Sequence, residues 1–257
     1  MKFFRSAMTG VALLACSTSV SFADVLSDYL ASYAKDAAQK KFDLLSEDAS
    51  AAFSYKAITP AEPLSAGILP FGVDLGLEVS AVQAKNMDEV QNGLGLSDNL
   101  SFLPVPKMHA HIGIPFGIDF GAVYAPIPTT DIAYMGGEIR YSPFSGNVAL
   151  PAIAIRGAYT TIQGIKEWTF NSKSVELTVS KGFLVFTPYA GIGNVWSTSE
   201  VKYTETATNT EFKLTSDPSQ FKWFAGLNMN LGLMNLVGEV DQTGDVMTYS
   251  VKFGFRF

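Results

Sequence analysis

The feature that most constrains this chain is a series of segments, each about ten residues long, in which apolar and polar residues alternate. The last segment is the clearest, because every second residue from Met247 to Phe257 is apolar and the residues between them are small or polar. Such a period is typical of a β-strand whose two faces meet different surroundings. After residue 23 no apolar run approaches the roughly 18 residues that indicate a membrane-spanning helix. The pattern predicts an all-β protein, and a soluble sandwich would alternate in the same way.

The connections between these strands favour a membrane barrel over a sandwich. Polar connections such as 85–104 and 199–217 are long, whereas the connections that alternate with them are short turns at 115–117, 142–147, 180–183 and 232–235. Outer-membrane barrels combine short periplasmic turns, longer outer loops and an even number of strands. We therefore predict a closed antiparallel transmembrane β-barrel over 72–257, with twelve strands recruiting 50–70 as the alternative to ten. The ten predicted strands are 72–84, 106–114, 117–127, 132–142, 149–161, 167–180, 183–198, 219–231, 234–242 and 245–257.

An internal repeat supports this register. The sequence Leu-Pro-Phe-Gly-Val-Asp-Leu-Gly over 69–76 recurs as Ile-Pro-Phe-Gly-Ile-Asp-Phe-Gly over 114–121. Both copies stand at the opening of a predicted strand, so the two strands would run in the same direction, from the periplasm outward. A coincidental turn motif would give the same likeness.

The strand charges fall on the face opposite to the apolar residues. A Lys or Arg that faces lipid at the middle of a membrane costs about 2–4 kcal/mol, so these side chains are predicted to face the lumen. Seven acids and six bases share this face, and such a balance favours ion pairing in a narrow, filled lumen over a wide ion-selective pore. Pairing is expected among Arg140, Arg156, Glu138 and Glu176. The lumen-facing candidates are Asp74, Glu78, Lys107, His109, His111, Asp119, Glu138, Arg140, Arg156, Glu176, Lys222, Glu239, Asp241, Lys252 and Arg256.

The N-terminus has the features of an export signal. Lys2 and Arg5 precede an apolar stretch over 7–16, and Ser21-Phe22-Ala23 is a small-x-small cleavage site, so 1–23 is predicted to be a signal peptide cut after Ala23. The alternative is a lipoprotein signal ending at Cys16, the single cysteine of the chain. Cleavage after Ala23 would leave a mature chain without cysteine.

The segment 24–71 differs from the barrel. Apolar residues between Val25 and Leu45 recur at helical spacing, which predicts an amphipathic helix over 24–46. The following residues 51–58 alternate like a strand, and the prolines at 60 and 63 end regular structure. Two arrangements are left open. In one, a helix lies outside or below the barrel and 50–70 enters or closes it as a plug; in the other, a periplasmic helix only packs on the rim.

Four stretches resemble a family of uncharacterised Gram-negative outer-membrane β-barrel proteins. They are 53–64, 103–109, 187–193 and the 238–245 hairpin, and the likeness extends over the mature chain from about residue 45. The resemblance implies a fold and a location and no activity. A looser likeness, in architecture alone, is to the long-chain fatty-acid transporter family, whose barrels carry an N-terminal plug in the lumen.

The residues give little support to an enzyme. His109 and His111 would share one strand face and could form half of a metal site, but spacing supplies no third ligand, so hydrogen bonding to a carboxylate is the simpler interpretation. The GxSxG and HExxH motifs are absent. No cofactor or metal is expected, and the net charge of −6 argues against nucleic-acid binding.

The leading functional hypothesis is an outer-membrane barrel that binds or passes a small apolar molecule. Its rival is a structural or surface-interaction barrel without cargo, and an outer-membrane hydrolase ranks below both. Expected partners are outer-membrane lipid and the barrel-assembly machinery, which would recognise the last strand through its alternate aromatic residues. That predicted assembly signal consists of Tyr249, Phe253, Phe255 and Phe257.

Overall fold

A computed structural model of the protein describes residues 22–33, 35–64, 71–83, 85–86, 102–126, 132–147, 149–165, 167–205 and 210–257. Two helices come first, α1 (Phe22–Ala31) and α2 (Lys35–Phe53). A short 3₁₀ turn, Pro115–Gly117, joins the second and third strands. The strands are β1 (Gly72–Gln83), β2 (Phe102–Ile114), β3 (Ile118–Pro126), β4 (Ala133–Phe144), β5 (Ala152–Gln163), β6 (Trp168–Ser180), β7 (Phe186–Glu205), β8 (Thr210–Ser216), β9 (Ser219–Leu231), β10 (Met234–Thr243) and β11 (Val246–Arg256).

The sheet closes on itself into a barrel of ten antiparallel strands. The first and last strands pair from Asp74 opposite Arg256 to Val82 opposite Thr248. On the other side β7 pairs with β6 along one edge and with β9 along the other, so no barrel strand is left with an open edge. The predicted ten-stranded antiparallel barrel is confirmed. The twelve-stranded alternative is wrong, because none of the described residues between 54 and 64 belongs to a strand.

The predicted loop over 199–217 is wrong. β7 continues to Glu205 and pairs with β8, so the two strands form a hairpin that extends beyond the barrel. Its inner residues Val201 and Leu214 are buried, and its other residues are mostly polar. This single apolar row explains why the segment has the composition of a loop. Smaller corrections concern β2, which starts at Phe102 and includes two prolines, and β5, which starts at Ala152.

The two ends of the barrel differ. The connections 115–117, 145–151, 181–185 and 232–233 lie at one end, here called the turn end, together with the start of β1 and the end of β11. At the opposite end, called the loop end, β1 ends at Gln83 and β2 begins at Phe102, and the β7–β8 hairpin extends beyond the barrel. The position of a residue along its strand therefore gives its height between the two ends of the barrel.

The predicted single helix over 24–46 is two helices. Backbone hydrogen bonds from Ser32 and Tyr33 close α1, and α2 then continues to Phe53, past the predicted end and into the predicted strand 51–58. We call α1 and α2 the cap, because their apolar residues pack on the loop end of the barrel. The cap therefore lies at the end opposite the turn end, and its placement in the periplasm stays a prediction.

Residues 54–64, which we call the plug, follow the cap as an extended chain inside the barrel. Every residue from Ser54 to Ala61 is buried. The plug ends beside the start of β1, where a Cβ added at Gly72 would overlap the Leu64 carbonyl. The chain thus passes through the lumen from the loop end to the turn end before the first strand begins. The predicted signal peptide lies outside the described residues except for Phe22 and Ala23, which are in α1.

The outer wall of the barrel is apolar along the strands. On β1 the exposed fraction is 64% for Leu77 and 2% for its neighbour Glu78. Among the described helices, neither is both long and apolar enough to cross a membrane. The exposed apolar side chains include Leu75, Leu77, Val79, Met108, Ile112, Phe120, Ile139, Ile155, Val175, Leu177, Ile192, Leu227, Leu236, Tyr249, Val251, Phe253, Phe255 and Phe257.

Candidate functional site

The inner wall is charged, and the candidate site is the filled lumen. Because strand residues alternate between faces, one register places nearly all the charges of the barrel strands on the inner side of the sheet, and Lys173 on β6 is an exposed exception. Arg256, beside the turn end, is half-buried. The other candidates are buried inside the barrel: Asp74, Glu78, Lys107, His109, His111, Asp119, Glu138, Arg140, Arg156, Glu176, Lys222, Glu239, Asp241 and Lys252.

A continuous row of ion pairs crosses the middle of the lumen. The Arg156 guanidinium lies between two carboxylates, with Nε 2.7 Å from Glu138 Oε2 and Nη1 2.6 Å from Glu176 Oε2. Glu176 also accepts a hydrogen bond from Lys222 Nζ at 2.7 Å. At the other end of the row, His111 Nε2 is 3.4 Å from Glu138 Oε1. Each charge is close to an opposite charge, which offsets the cost of removing it from water.

Separate pairs flank this row toward each end. Nearer the loop end, Glu78 accepts a hydrogen bond from Lys107 at 3.0 Å and contacts His109 Nε2. Nearer the turn end, Lys252 Nζ is 3.3 Å from Asp74 Oδ1. Opposite charges are therefore paired with close neighbours at several heights of the barrel.

The expected grouping of four charged residues is only partly observed. Arg156 contacts both Glu138 and Glu176. Arg140 instead donates from Nε to Asp119 Oδ2 at 3.0 Å, because β3 places Asp119 directly opposite Arg140 on β4. The partner of Arg140 is therefore set by the register between β3 and β4, which the spacing of residues in the sequence does not determine.

Arg140 also holds the plug. Its Nη1 donates to the Thr59 hydroxyl at 2.6 Å and to the Pro60 carbonyl at 2.7 Å, and its Nη2 donates to the Glu62 carbonyl at 3.4 Å. An extended chain that pairs with no strand cannot satisfy its own backbone groups, so buried carbonyls need donors from elsewhere. One wall side chain supplies two of them here.

Other wall side chains bond the plug backbone along its length. Lys222 donates to the Tyr55 carbonyl at 3.1 Å, and just before the plug Thr160 donates to the carbonyl of Phe53, the last residue of α2, at 2.7 Å. Near the turn end, Ser142 donates to the Ala61 carbonyl at 2.9 Å. Two plug amides donate in turn, from Ala61 to Ser180 Oγ at 3.1 Å and from Leu64 to Asp119 Oδ1 at 3.2 Å. These bonds join the plug to wall strands on several sides of the lumen.

Lys56 is a charged lumen residue that the sequence pattern did not indicate. Its Nζ is 2.8 Å from Asp241 Oδ1, and both side chains are fully buried. The inner wall alone carries seven acids and six bases, so the plug lysine supplies the seventh base. That excess of one acid was the available signal that a cation from outside the strands enters the lumen.

A wall glycine makes room for the plug. A Cβ at Gly121 would lie 2.4 Å from His111 Cδ2, 2.6 Å from Glu138 Cγ and 2.7 Å from the Tyr55 hydroxyl. The Tyr55 ring occupies this space, with its hydroxyl 3.4 Å from His111 Nε2. Shape as well as charge is therefore matched between plug and wall.

The plug backbone is strained at its centre. Ile58 has φ of 48°, in a region that bulky β-branched residues rarely adopt. Its side chain packs on Tyr189, Phe224 and Val237 of the wall. Such a conformation costs on the order of 1–3 kcal/mol and persists where the surrounding structure fixes it. Here the contacts between the plug and the wall provide that constraint.

The two histidines are enclosed. Their rings stack with centroids 5.8 Å apart, and both side chains are almost fully buried. Their close partners are Glu78, Glu138 and Tyr55. Within the described part of the chain, no group of three or more His, Cys, Asp and Glu side chains could hold a metal ion.

The cap is held mainly by apolar contacts. Phe42 and Leu30 are buried in a cluster that includes Val201 and Leu214 of the hairpin and Trp168 of β6. Trp168 packs under the cap and donates to Ser199 Oγ at 2.8 Å.

A polar contact ties the cap to the β1–β2 connection. Asp48 of α2 accepts bonds from the Asn86 amide at 2.8 Å and from its side-chain nitrogen at 3.0 Å. Burial raises the pKa of Asp48 above its usual value, and the bonds from Asn86 only partly offset this effect.

A cavity of about 510 Å³ opens at the turn end below the plug. Glu62 and Leu64 line it from the plug, and Lys181, Arg256 and Phe257 line it from the wall. The plug therefore closes the lumen between this cavity and the cap.

Together these features define a closed ten-stranded antiparallel barrel whose lumen is filled by its own N-terminal segment. Residues 36–257 match DUF6588, a family of unknown function, and the chain belongs to that family. The predicted membership of an uncharacterised barrel family is confirmed. No curated protein matches the chain.

Several solved barrels are similar to this chain at low identity. The N-terminal β-barrel domain of OprF from Pseudomonas aeruginosa is 13% identical, with a TM-score of 0.33 over 71% of this chain and 97% of that one. Ail, the attachment invasion locus protein of Yersinia pestis, is 11% identical, with a TM-score of 0.32 over 73% and 97%. The outer membrane protease OmpT from Escherichia coli is 8% identical, with a TM-score of 0.40 over 73% and 96%. At these identities no residue of this chain takes a role from any of them.

Proposed function

We propose that this protein is an outer-membrane β-barrel that is closed by its own N-terminal segment and serves as a structural or surface-interaction barrel. The apolar outer wall supports the membrane placement, because exposed side chains such as Leu77, Val79 and Phe253 would be costly in water and are tolerated by lipid. The closed sheet satisfies every barrel strand edge, as hydrocarbon requires.

The buried plug is the observation that carries the closed state. Eight consecutive residues from Ser54 to Ala61 are buried in the lumen. Moving the plug out would leave Asp241 without Lys56, and Arg140 without three of its acceptors. Breaking one buried ion pair costs about 3–5 kcal/mol when the remaining charge stays buried. A resting barrel with this plug in place offers no continuous path for cargo.

The leading hypothesis from the sequence, passage or binding of a small apolar molecule, is the second candidate. One observation favours it: the wall contacts that hold the plug are polar, and water could replace them if the plug moved. The same polar wall disfavours an apolar cargo inside the lumen. A hydrolase has less support, because His109 and His111 are enclosed beside carboxylates.

A disulfide that locks the plug separates the two candidates. Ala61 and Ser180 are joined by a hydrogen bond from the Ala61 amide, so the double variant Ala61→Cys/Ser180→Cys places two thiols on plug and wall. Solute influx into proteoliposomes would be compared between the oxidised and reduced double variant, with each single variant as control. Closed-barrel function predicts equally low influx in all of them. Influx that the disulfide abolishes and a reductant restores would contradict it and support gated passage.

Assembly through the last strand is part of the same proposal. The alternate side chains of Tyr249, Phe253, Phe255 and Phe257 are exposed on the outer wall, as recognition by assembly machinery would need. Phe257 also bonds Val73 through both backbone groups, at 2.7 Å and 3.0 Å, so it closes the barrel. Phe257→Ala keeps both backbone bonds and should reduce delivery to the outer membrane, measured by membrane fractionation. Normal delivery with a lower unfolding temperature would leave Phe257 a packing role only.

A further inference from the structure

Because the chain passes through the lumen before β1, the N-terminal helices lie at the loop end of the barrel. The side of the membrane that the loop end faces is therefore the side that carries them. In outer-membrane barrels the short turns face the periplasm and the longer loops face outward. The connections 115–117, 145–151, 181–185 and 232–233 lie at the turn end. The loop end holds the short turn 244–245 and the β7–β8 hairpin, and the longest connection between strands, from Gln83 to Phe102, starts there. The cap packs on that hairpin: α2 donates from Gln39 Nε2 to the Thr215 carbonyl at 3.0 Å.

We propose that the cap is displayed on the outer surface of the cell and that the barrel closes around the plug during folding. The chain would then cross the outer membrane once through the lumen, from outside to inside, before β1 begins the first transmembrane strand. This inference depends on the proposed membrane placement of the barrel.

The length of the plug fits a complete crossing. At about 3.3 Å per residue a fully extended chain of residues 54–64 would span about 36 Å, and the left-handed Ile58 and the bends at 61 and 62 shorten the path below this ceiling. The apolar band of an outer-membrane barrel is about 25 Å tall. The bonds of the plug agree with this span, because Tyr134 near the loop end donates to the Ser54 carbonyl and Asp119 near the turn end accepts from the Leu64 amide.

The width of the cap prevents later insertion. Ten strands about 4.8 Å apart and tilted by about 40° enclose roughly 20 Å between opposite backbones. Side chains such as Arg140, Lys222 and Glu176 occupy much of that width. A folded pair of helices, each about 10 Å across, cannot pass through the remaining space. The plug is therefore held at the loop end by the cap and at the turn end by its covalent link to β1.

The closed arrangement also constrains how any gate could work. A plug that is bound at both ends cannot leave the lumen as a unit unless the cap unfolds. The cap is stabilised by its own apolar cluster, in which Leu30, Phe42 and Leu45 are buried. We therefore expect the outer surface presented to other molecules to consist of the exposed side of the cap, where Asp28, Lys35, Asp36 and Lys40 lie.

Cysteine labelling on intact cells tests the inference. Cys16 is the only cysteine in the chain, so in a Cys16→Ser background each added thiol is unique. Lys40→Cys reports the cap, Lys213→Cys reports the hairpin, and Ser145→Cys reports the turn end; all three positions are exposed. A membrane-impermeant maleimide is added before or after the outer membrane is permeabilised, and labelling is quantified on the purified protein.

The inference predicts that Lys40→Cys and Lys213→Cys label on intact cells and that Ser145→Cys labels only after permeabilisation. Labelling of Lys40→Cys together with Ser145→Cys, after permeabilisation only, would overturn the inference and leave the barrel proposal intact. Reversed behaviour of Lys213→Cys and Ser145→Cys would overturn the outside-to-inside direction. If all three positions need permeabilisation, the proposed outer-membrane placement itself fails.

Discussion

The cap and the plug are adjacent in sequence and are stabilised in opposite ways. The cap satisfies its backbone internally as two helices and buries apolar residues such as Leu30, Phe42 and Leu45 against the loop end. The plug has no internal hydrogen-bond ladder and depends on wall side chains, above all Arg140 and Lys222, to bond its carbonyls. The barrel therefore offers an apolar surface at one end and a charged interior below it, and each part of the N-terminal segment matches the surface that it meets.

The largest loss of stability is expected on replacing Arg140, which makes three hydrogen bonds to the plug. Arg140→Ala removes the partner of Asp119 and three hydrogen bonds to the plug, which should lower the free energy of unfolding by about 3–5 kcal/mol. Urea unfolding followed by heat-modifiable gel mobility would measure it. Lys213→Ala breaks an ion pair whose side chains are 56% and 30% exposed, and should cost under about 1 kcal/mol. Equal effects of the two variants would show that the plug is not held from the wall.

The corresponding test of the cap is Phe42→Ala. Removing a buried phenylalanine costs about 3–5 kcal/mol, and here the loss should appear in the local opening of α2 while the barrel strands keep their protection. Amide hydrogen exchange resolved by peptide would measure both regions. Leu44→Ala, on the exposed side of the same helix, is the matched control and should change little. Loss of protection throughout the barrel would mean that cap and barrel unfold as one unit.

Shape matching between plug and wall is tested by Gly121→Ala. The added methyl group would overlap His111, Glu138 and Tyr55, and overpacking of this kind costs about 1–3 kcal/mol. Gly157→Ala on β5 is the control, because an added Cβ there meets nothing within 4 Å. The unfolding midpoint in urea should fall for the first variant only. If Gly121→Ala were as stable as Gly157→Ala, Tyr55 would not occupy the lumen as described.

The smallest effect concerns the pH dependence of the cap. A carboxyl whose pKa is raised in the folded state binds its proton more tightly when folded, so its contribution to stability rises as the pH falls through that pKa. Burial raises the pKa of Asp48, so lowering the pH from about 7 should stabilise α2 in the wild-type protein relative to Asp48→Asn. Hydrogen exchange of α2 in both proteins across this range would measure the difference. A wild-type stability of α2 that stays level or falls relative to Asp48→Asn on acidification would contradict the sign.

The barrel wall could be predicted from the sequence because each strand records its two environments in alternate residues. Leu75, Leu77 and Val79 face outward while Asp74, Glu78 and Ser80 face inward on β1. The strand bounds failed where this contrast is weak. Among the residues between Ser199 and Ser216 whose burial the structure describes, Val201 and Leu214 are the only buried apolar ones, so the hairpin resembles a loop.

The site was harder to predict because its contacts join residues that are far apart in sequence. Nothing in the spacing of Arg140 and Asp119 shows that β3 and β4 place them opposite each other. Lys56 bonds Asp241, and the stretch around it alternates like a strand because the plug is extended. The side of the barrel on which the cap lies follows from the direction of the plug, and local pattern carries no signal for it.

Hydrogen exchange of the plug in lipid nanodiscs tests directly whether the N-terminal segment fills the lumen. Peptides covering 54–64 should exchange as slowly as the barrel strands, because the segment is buried and its Ala61 and Leu64 amides are bonded to the wall. Exposed connections such as 145–147 should exchange fast in the same experiment. Fast exchange of 54–64 beside protected strands would show that the lumen is not filled by its own N-terminal segment, and would contradict the account.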